Sequence, residues 1–553
     1  MQSAMSETQV QDLTDRIFIL KENIESGKMK FASHLVNDFM KSFESIRLRP
    51  DGLVDPTTVD GRIRSATLAI RAMQYRNEVK NSSSINDIQV AYFNILFREF
   101  GDLYGMMIKA NSDPYKASEF FSLNAEISQG IIDGCDDFFI AIKEFWSELS
   151  EVGLFNLQDG EQLKANFAGD LFPSYDENAV SIAGLYIDTI ILPCPITRIS
   201  PLKGKISDRD LVRVLLKHVF TAMTYRELAT EDIKPNIVVI LPNQSDFDDE
   251  ARFGLLKRNT HLILKHGSYL FERDFDSLEH LGDYCHSLKT VDQVLQTVKR
   301  PERILFDVEW GRGAKNQLER AISDKRISIP NVDPTIAGNQ LYAACIGRIP
   351  QACAALENSL ALGGTPFINA ETSWQYYTWL LEYESKPNQT DESLHIVHAL
   401  ASENNNDLAW LGRVPPESIL KIRRNGLAEE IRSLLSDGIG ELIRNRPGDY
   451  YSTAERITNN LDLAFREHKK KILEAKRERL KLYGVDVSVC AVVGTIAVAA
   501  AITANPVLAA TSAAISMVGA PNLIGIKSKF KSLKEAQNRH RSSPTGILFS
   551  HLD

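Results

Sequence analysis

Cysteine is scarce in this chain and its copies are scattered. The six, Cys135, Cys194, Cys285, Cys345, Cys353 and Cys490, form no C-x-x-C pair, and the closest two lie eight positions apart. That spacing offers neither a zinc pattern nor a disulfide framework, so buried free thiols in a reducing cytosol are expected. Positive charge is also in deficit. Sixty-three Lys and Arg stand against 72 Asp and Glu, a formal net charge of −9, so the whole chain is not a nucleic-acid binder by charge alone. The N-terminus, MQSAMSETQVQDLTDR, lacks a basic stretch followed by an apolar core and does not read as a secretory signal. The motifs G-x-x-x-x-G-K-[ST], G-x-G-x-x-G, H-E-x-x-H and G-x-S-x-G are all missing. Their absence removes the commonest signatures of phosphate binding, zinc proteolysis and serine hydrolysis. No cofactor and no metal is therefore expected.

What is present is the composition of a folded protein, 44% hydrophobic and 24% charged, in a chain of 553 residues that is too long for one core. The fold class read from the pattern is mostly α with an α/β section. Residues 1–170 read as an α-helical domain of five to seven helices. KFASHLVNDFMKSF sets Phe31, Leu35, Phe39 and Phe43 on one face, and INDIQVAYFNILFREFGDLYGMMIKA and CDDFFIAIKEFWSEL keep the same period between the turn signals RPDG, NSSS and NSDP. Residues 171–370 read as an α/β domain. The short apolar runs in AGLYIDTIILPCPI, KPNIVVILPN and ERILFDV alternate with helical patterns and predict a small mixed or parallel sheet, with GGTPFINA as a fourth strand. Residues 371–483 return to helices and end in a long one from about Thr453 to Tyr483, its stripe including Ile457, Leu461, Phe465, Ile472 and Leu480. Residues 484–553 read as an apolar helical hairpin with basic flanks and a tail. No repeat and no low-complexity linker separates these regions.

Chemistry-bearing candidates are few. ILFDVEWGRGAKNQLERAI is read as a strand ending at Asp307, followed by Glu309 and a turn through Gly311, Arg312 and Gly313 into a helix bearing Lys315. Loops at strand ends bind ligands in open α/β sheets, and two carboxylates beside a lysine suit a divalent metal in nucleotide or nucleic-acid chemistry. The bland alternative is a turn with a capped helix. Asp246, Asp248, Asp249 and Glu250 read as the acidic first turn of a helix. His395 and His398 share a helix face at a chelating spacing, without a third ligand nearby. Arg258, His261 and His266 lie close to the arginine-to-histidine spacing of helical ribonucleases, but the gap from Arg258 to His266 is one residue too long for it. His468 reads as an interface residue on its helix.

The strongest signal is Val487 to Ile526, about forty residues without a charge. Arg466 to Lys481 before it holds eight Lys or Arg and three Glu, and Lys527 to Arg541 after it holds six and one. Each flank is thus about +5, which leaves about −19 for the rest of a chain whose total is −9. Lys469, Lys470, Lys471, Lys476, Arg477 and Arg479 on one side, and Lys527, Lys529 and Lys531 on the other, form a basic collar. Asn505-Pro506 divides the stretch into two arms of nearly membrane-spanning length, and positive charge at both ends predicts a hairpin whose ends stay on one side. The first arm holds seven Val or Ile, which together contribute only about −2 to −4 kcal/mol toward insertion. The rest is mainly Ala, Gly, Ser and Thr, which suits close helix packing in lipid or in a soluble bundle.

In this composition the stretch resembles the hydrophobic hairpin of colicin-type pore-forming domains. The resemblance covers these forty residues alone and implies a mode of action at a membrane. The hairpin residues it points to are Val493, Ile496, Val498, Ile502, Leu508, Ile515 and Val518. The leading expectation is a regulated cytosolic effector whose hairpin acts on an anionic inner membrane when released, in bacterial antiviral defence or a toxin-like system. Two alternatives stand beside it: an enzyme of nucleotides or nucleic acid using Asp307, Glu309 and Lys315, and a scaffold that binds a protein partner or homo-oligomerises through the hairpin.

Overall fold

Small polar side chains start many of the helices, because the first amides of a helix have no partner within it. Ser6 opens Glu7–Glu25 with a capping box, and Asp60, Asp113, Ser207, Asp248, Ser277 and Thr290 each accept an amide at the head of a helix. The computed structural model describes residues 6–26, 33–168, 180, 183–311, 313–324, 332–368, 370–384, 391–401, 414, 416–445, 449–482 and 543–549. Helices dominate, with one small sheet. The chain divides into two compact units, Met1–Ile88 with Ser147–Gly160, and Gln89–Trp146 with Glu161–Asp553.

In the first unit Leu13, Ile17 and Leu20 of Glu7–Glu25 pack with Ile63 and Ile70 of Gly61–Asn81 and with Val54 and Val59 between them. The Thr14 hydroxyl accepts the Val54 amide at 2.9 Å, so that buried donor is satisfied. Asp159 receives Arg76 at 2.6 Å and Lys80 at 2.8 Å. Phe39 and Phe43 meet at 5.8 Å within Ser33–Glu44, whereas Phe31 and the side chain of Leu35 lie outside the described residues.

The second unit holds four parallel strands, β1 (Lys164–Phe167), β2 (Thr189–Leu192), β3 (Val238–Ile240) and β4 (Thr365–Phe367), in the order β3-β2-β1-β4. Ala165 pairs with Ile190 and Thr365, and Ile190 with Val238. Every strand residue is buried, as expected of a parallel sheet covered on both faces. The Ala337–Leu362 helix packs on β1 and β4. At the β3 edge the Gln89 side chain acts as a fifth strand of one residue. Its Nε2 donates to the Ile240 carbonyl and its Oε1 accepts the Ile240 amide, both at 2.9 Å. Pro366, which has no amide to donate, sits on the opposite edge strand.

The runs AGLYIDTIILPCPI, KPNIVVILPN and GGTPFINA contain β2, β3 and β4. ERILFDV is no strand: Ile304 to Asp307 connect the 3-10 turns Pro301–Arg303 and Val308–Trp310. Its backbone is satisfied by side chains. The Gln317 carbonyl oxygen accepts the amides of Phe306 at 2.8 Å and Asp307 at 3.1 Å, and the Tyr376 hydroxyl donates to the Leu305 carbonyl at 2.7 Å. β1, in KANF, carries no alternating or β-branched pattern and is recognised only through its neighbours.

The helices Pro416–Arg424 and Ala428–Ser436 attach to the sheet at Asp188, just before β2. Its carboxylate accepts Arg423 and Arg432, each at 2.6 Å, and the Leu163 amide at 2.9 Å. The long helix runs from Tyr450 to Leu482, three residues earlier at its start than the pattern indicates. Thirty-three residues at about 1.5 Å each make it roughly 50 Å long.

Candidate functional site

The Asp307–Lys315 loop folds as a capped turn. Asp307 accepts the Glu309 amide at 3.1 Å, and the Glu309 side chain is exposed. Lys315 pairs with Glu319 at 3.8 Å, one turn along its own helix Ala314–Ser323. The residue that organises the loop is Gln317, wholly buried, whose Nε2 donates to the carbonyls of Asp307 at 2.5 Å and Gly311 at 2.6 Å. Arg312 lies outside the described residues. Asp248 caps Asp249–Phe271, and the amides of Ala251 and then Glu250 hold its carboxyl below the usual range. Asp249 pairs with Arg252 at 2.9 Å. Asp248, Asp249 and Glu250 are thus the start of a helix, whereas Asp246 ends the separate 3-10 turn Gln244–Asp246 before it.

The histidines are placed by packing. Arg258 pairs with Glu384 at 2.5 Å, His261 is exposed, and His266 meets the Tyr383 hydroxyl at 2.7 Å while its ring lies against Trp379. Arg258 and His266 engage different partners. Burial first, and then the nearby charge of Arg303, push His266 down to about 3. His395 and His398 share a face as expected, yet that face meets aromatic rings. His398 stacks on Trp374 with ring centroids 3.6 Å apart and planes 7° from parallel, and His395 stacks on Tyr450 at 4.1 Å. His395 Nδ1 lies 3.1 Å from the Thr453 hydroxyl. Burial first and His395 second take His398 down to about 3, so its imidazole is neutral near pH 7. No group of side chains among the described residues has the makings of a metal site.

These imidazoles instead seat the base of the Tyr450–Leu482 helix. Trp374 meets Tyr450 edge-on at 4.9 Å, and Ile457 and Leu461 are buried below it. Asn460 donates to the carbonyls of Leu434 at 3.2 Å and Asp437 at 3.0 Å, and Arg456 donates to the Asp437 carbonyl at 3.1 Å. Beyond Leu461 the next buried residue is His468, 8% exposed, and Lys469, Lys470 and Lys471 after it are exposed. Lys476, Arg477 and Arg479 continue on the same helix backbone, their side chains lying outside the described set. Lys527, Lys529 and Lys531 and the hairpin residues Val493, Ile496, Val498, Ile502, Leu508, Ile515 and Val518 lie outside the described residues as well. No described helix is long and apolar enough to cross a membrane. The sequence pattern missed Trp374, Tyr450 and Asp188; the one available signal was the aromatic density of WQYYTWLLEY, residues 374–383.

No family model, curated protein or solved structure matches the chain.

Proposed function

We propose that this chain is a regulated cytosolic effector whose uncharged segment, Val487 to Ile526, acts on an anionic membrane. The observation that carries this reading is the helix that leads into the segment. It is seated at one end by His395, Trp374, Asn460 and Leu461, and it presents Lys469, Lys470 and Lys471 to solvent as the uncharged stretch approaches. A basic helix end followed by an apolar arm is the order of residues that meets an anionic headgroup layer and then hydrocarbon. The arms are only marginally apolar, so covered and inserted states differ by a few kcal/mol and a trigger can choose between them. Such a division between a sensing body and a releasable hairpin suits bacterial antiviral defence or a toxin-like system.

Val493→Asp with Ile502→Asp places two carboxylates in the first arm. Each opposes insertion by about 2.5–3.5 kcal/mol, enough to outweigh the whole aliphatic contribution of that arm. The intact chain is expected to float with anionic vesicles and release an entrapped dye, and the double variant to do neither. A wild-type chain that neither floats with such vesicles nor leaks them ends the proposal.

A further inference from the structure

Side chains from Asp249–Phe271, Glu371–Glu384 and the 3-10 turn Pro301–Arg303 meet around Tyr383. Tyr269 lies against its ring at 4.5 Å, and His266 reaches its hydroxyl at 2.7 Å. The Arg303 guanidinium stands 5.5 Å from the centre of that ring and 5.1 Å from the ring of Trp379. Arg300, just before the turn, stands 5.6 Å from the Tyr269 ring. Three nitrogens in this cluster are buried without a hydrogen-bond partner among the described residues: His266 Nε2, Arg303 Nη1 and Arg300 Nε. His266 is 1% and Arg303 8% exposed, so neither is met by bulk solvent.

All three nitrogens are donors. The arginine nitrogens can do nothing else. The charge of Arg303 beside the Tyr383 hydroxyl draws the oxygen lone pair to itself and turns the hydrogen toward His266 Nδ1, which leaves the ring proton on Nε2. The carboxylates at hand do not answer these donors. Glu382 takes Arg303 through its other terminal nitrogen, Nη2, at 2.5 Å, and Glu272 stays 3.9 Å from Arg300 Nε. Lys265 donates to the Tyr383 carbonyl, so three cations here meet two carboxylates.

We infer that this cluster is a binding site for a small oxyanion, a phosphate or a carboxylate, held by Arg303 and His266 with Arg300 at its entrance. Several oxygens on one negative group are what three unmet donors and surplus positive charge fit. A cation would meet three positive side chains, and an apolar guest would leave every donor unmet in a dry place. Exposure marks the way in, falling from 43% at the Arg300 side chain to 10% at that of Arg303 and 1% at His266. Burial keeps His266 neutral near pH 7, so it donates without adding another buried charge. The bound anion ties three elements of the second unit together. The site stands apart from the membrane reading and requires none of it.

Isothermal titration calorimetry of the full chain near neutral pH, in chloride at constant ionic strength, tests inorganic phosphate and acetate separately. At least one of them is expected to bind once per chain. Phosphate alone marks a phosphoryl ligand, acetate alone a carboxylate, and both a site that reads their shared oxygens. Arg303→Gln and Arg300→Gln are each expected to weaken that affinity at least about tenfold. Arg98→Gln, at an exposed arginine on the helix Ile85–Lys109, is expected to leave it unchanged. No binding of either anion overturns the site. An affinity that Arg300→Gln leaves unchanged also overturns it, because the anion would then sit on another basic surface such as the collar. Arg300 is half-exposed, so this second variant decides the matter even where Arg303→Gln fails to fold.

Discussion

Asp188 stands where three donors converge, and its position shows how a single carboxylate joins the C-terminal helices to the sheet. Burial alone would raise this carboxyl; hydrogen bonds from Arg423, the Leu163 amide and Arg432 outweigh that and hold it below the usual range. Arg423 and Arg432 also donate to the carbonyls of Ile187 and Tyr186, so the pair grips backbone as well as charge. In Asp188→Asn the guanidiniums stay in place, with side chains only 9% and 14% exposed, and lose their counter-ion. The expected loss is about 3 kcal/mol, at the lower end for a broken buried pair because Arg432 keeps Glu429. Urea denaturation followed by circular dichroism measures it, and a change below about 1 kcal/mol would show that the grip is not electrostatic. None of this was legible in sequence, since Asp188 and its arginines are more than 200 positions apart. Asp307, expected at the end of a strand, instead caps the 3-10 turn Val308–Trp310, and the role of Gln317 depends on a loop closing over it.

The buried His398 makes the interface between Glu392–Ala401 and the long helix an element that responds to acid. His395 is 0% and His398 9% exposed, and the groups facing them are Trp374, Tyr450 and Thr453, with Asp391 acting on Tyr450, whose hydroxyl burial pushes up to about 12. His398 titrates near 6.5 in the unfolded chain and near 3 in the folded one, so the unfolded state binds the extra proton. Stability is therefore complete above pH 6.5 and falls as pH drops from there toward 3. His398 contributes a slope of about 1.4 kcal/mol per pH unit in that window. His398→Phe, which keeps a ring against Trp374, is expected to make the unfolding free energy less steep by one such slope between pH 6 and 4.5. Identical slopes in the two proteins would place the imidazole in water. β2, β3 and β4 are apolar runs bounded by proline or glycine and were readable. ERILFDV has that texture too, but its carbonyls and amides are met by Tyr376 and Gln317, which no local pattern reveals. β1, with Lys164 and Asn166 both buried, is a strand because β2 and β4 flank it.

For the molecule as a whole, charge is the property that sequence shows best and packing alters least. The collar and the uncharged stretch are plain in the sequence; the packing of the short helix Pro544–Phe549 on Pro416–Arg424, Ala428–Ser436 and the long helix is not, because Ile547 and Leu548 in PTGILF are no signal until those partners are assembled. An acidic body of about −19 is repelled by an anionic surface, so an approach to one has to be led by the collar. Lys469, Lys470 and Lys471 are the exposed part of it nearest the anchored end of the helix. Near an anionic leaflet each lysine contributes about 1 kcal/mol, so Lys469→Gln/Lys470→Gln/Lys471→Gln should weaken partition onto anionic vesicles by up to about 3 kcal/mol, or roughly a hundredfold. The melting temperature should scarcely move, since all three are exposed and Lys469 meets only the Phe465 ring of its own helix, at 6.0 Å. Raising salt should weaken wild-type binding toward the level of the triple variant, as screening shortens the reach of the collar. If the triple variant partitions as wild type does at low salt, the collar does not lead the approach, and the helix beyond His468 has another use.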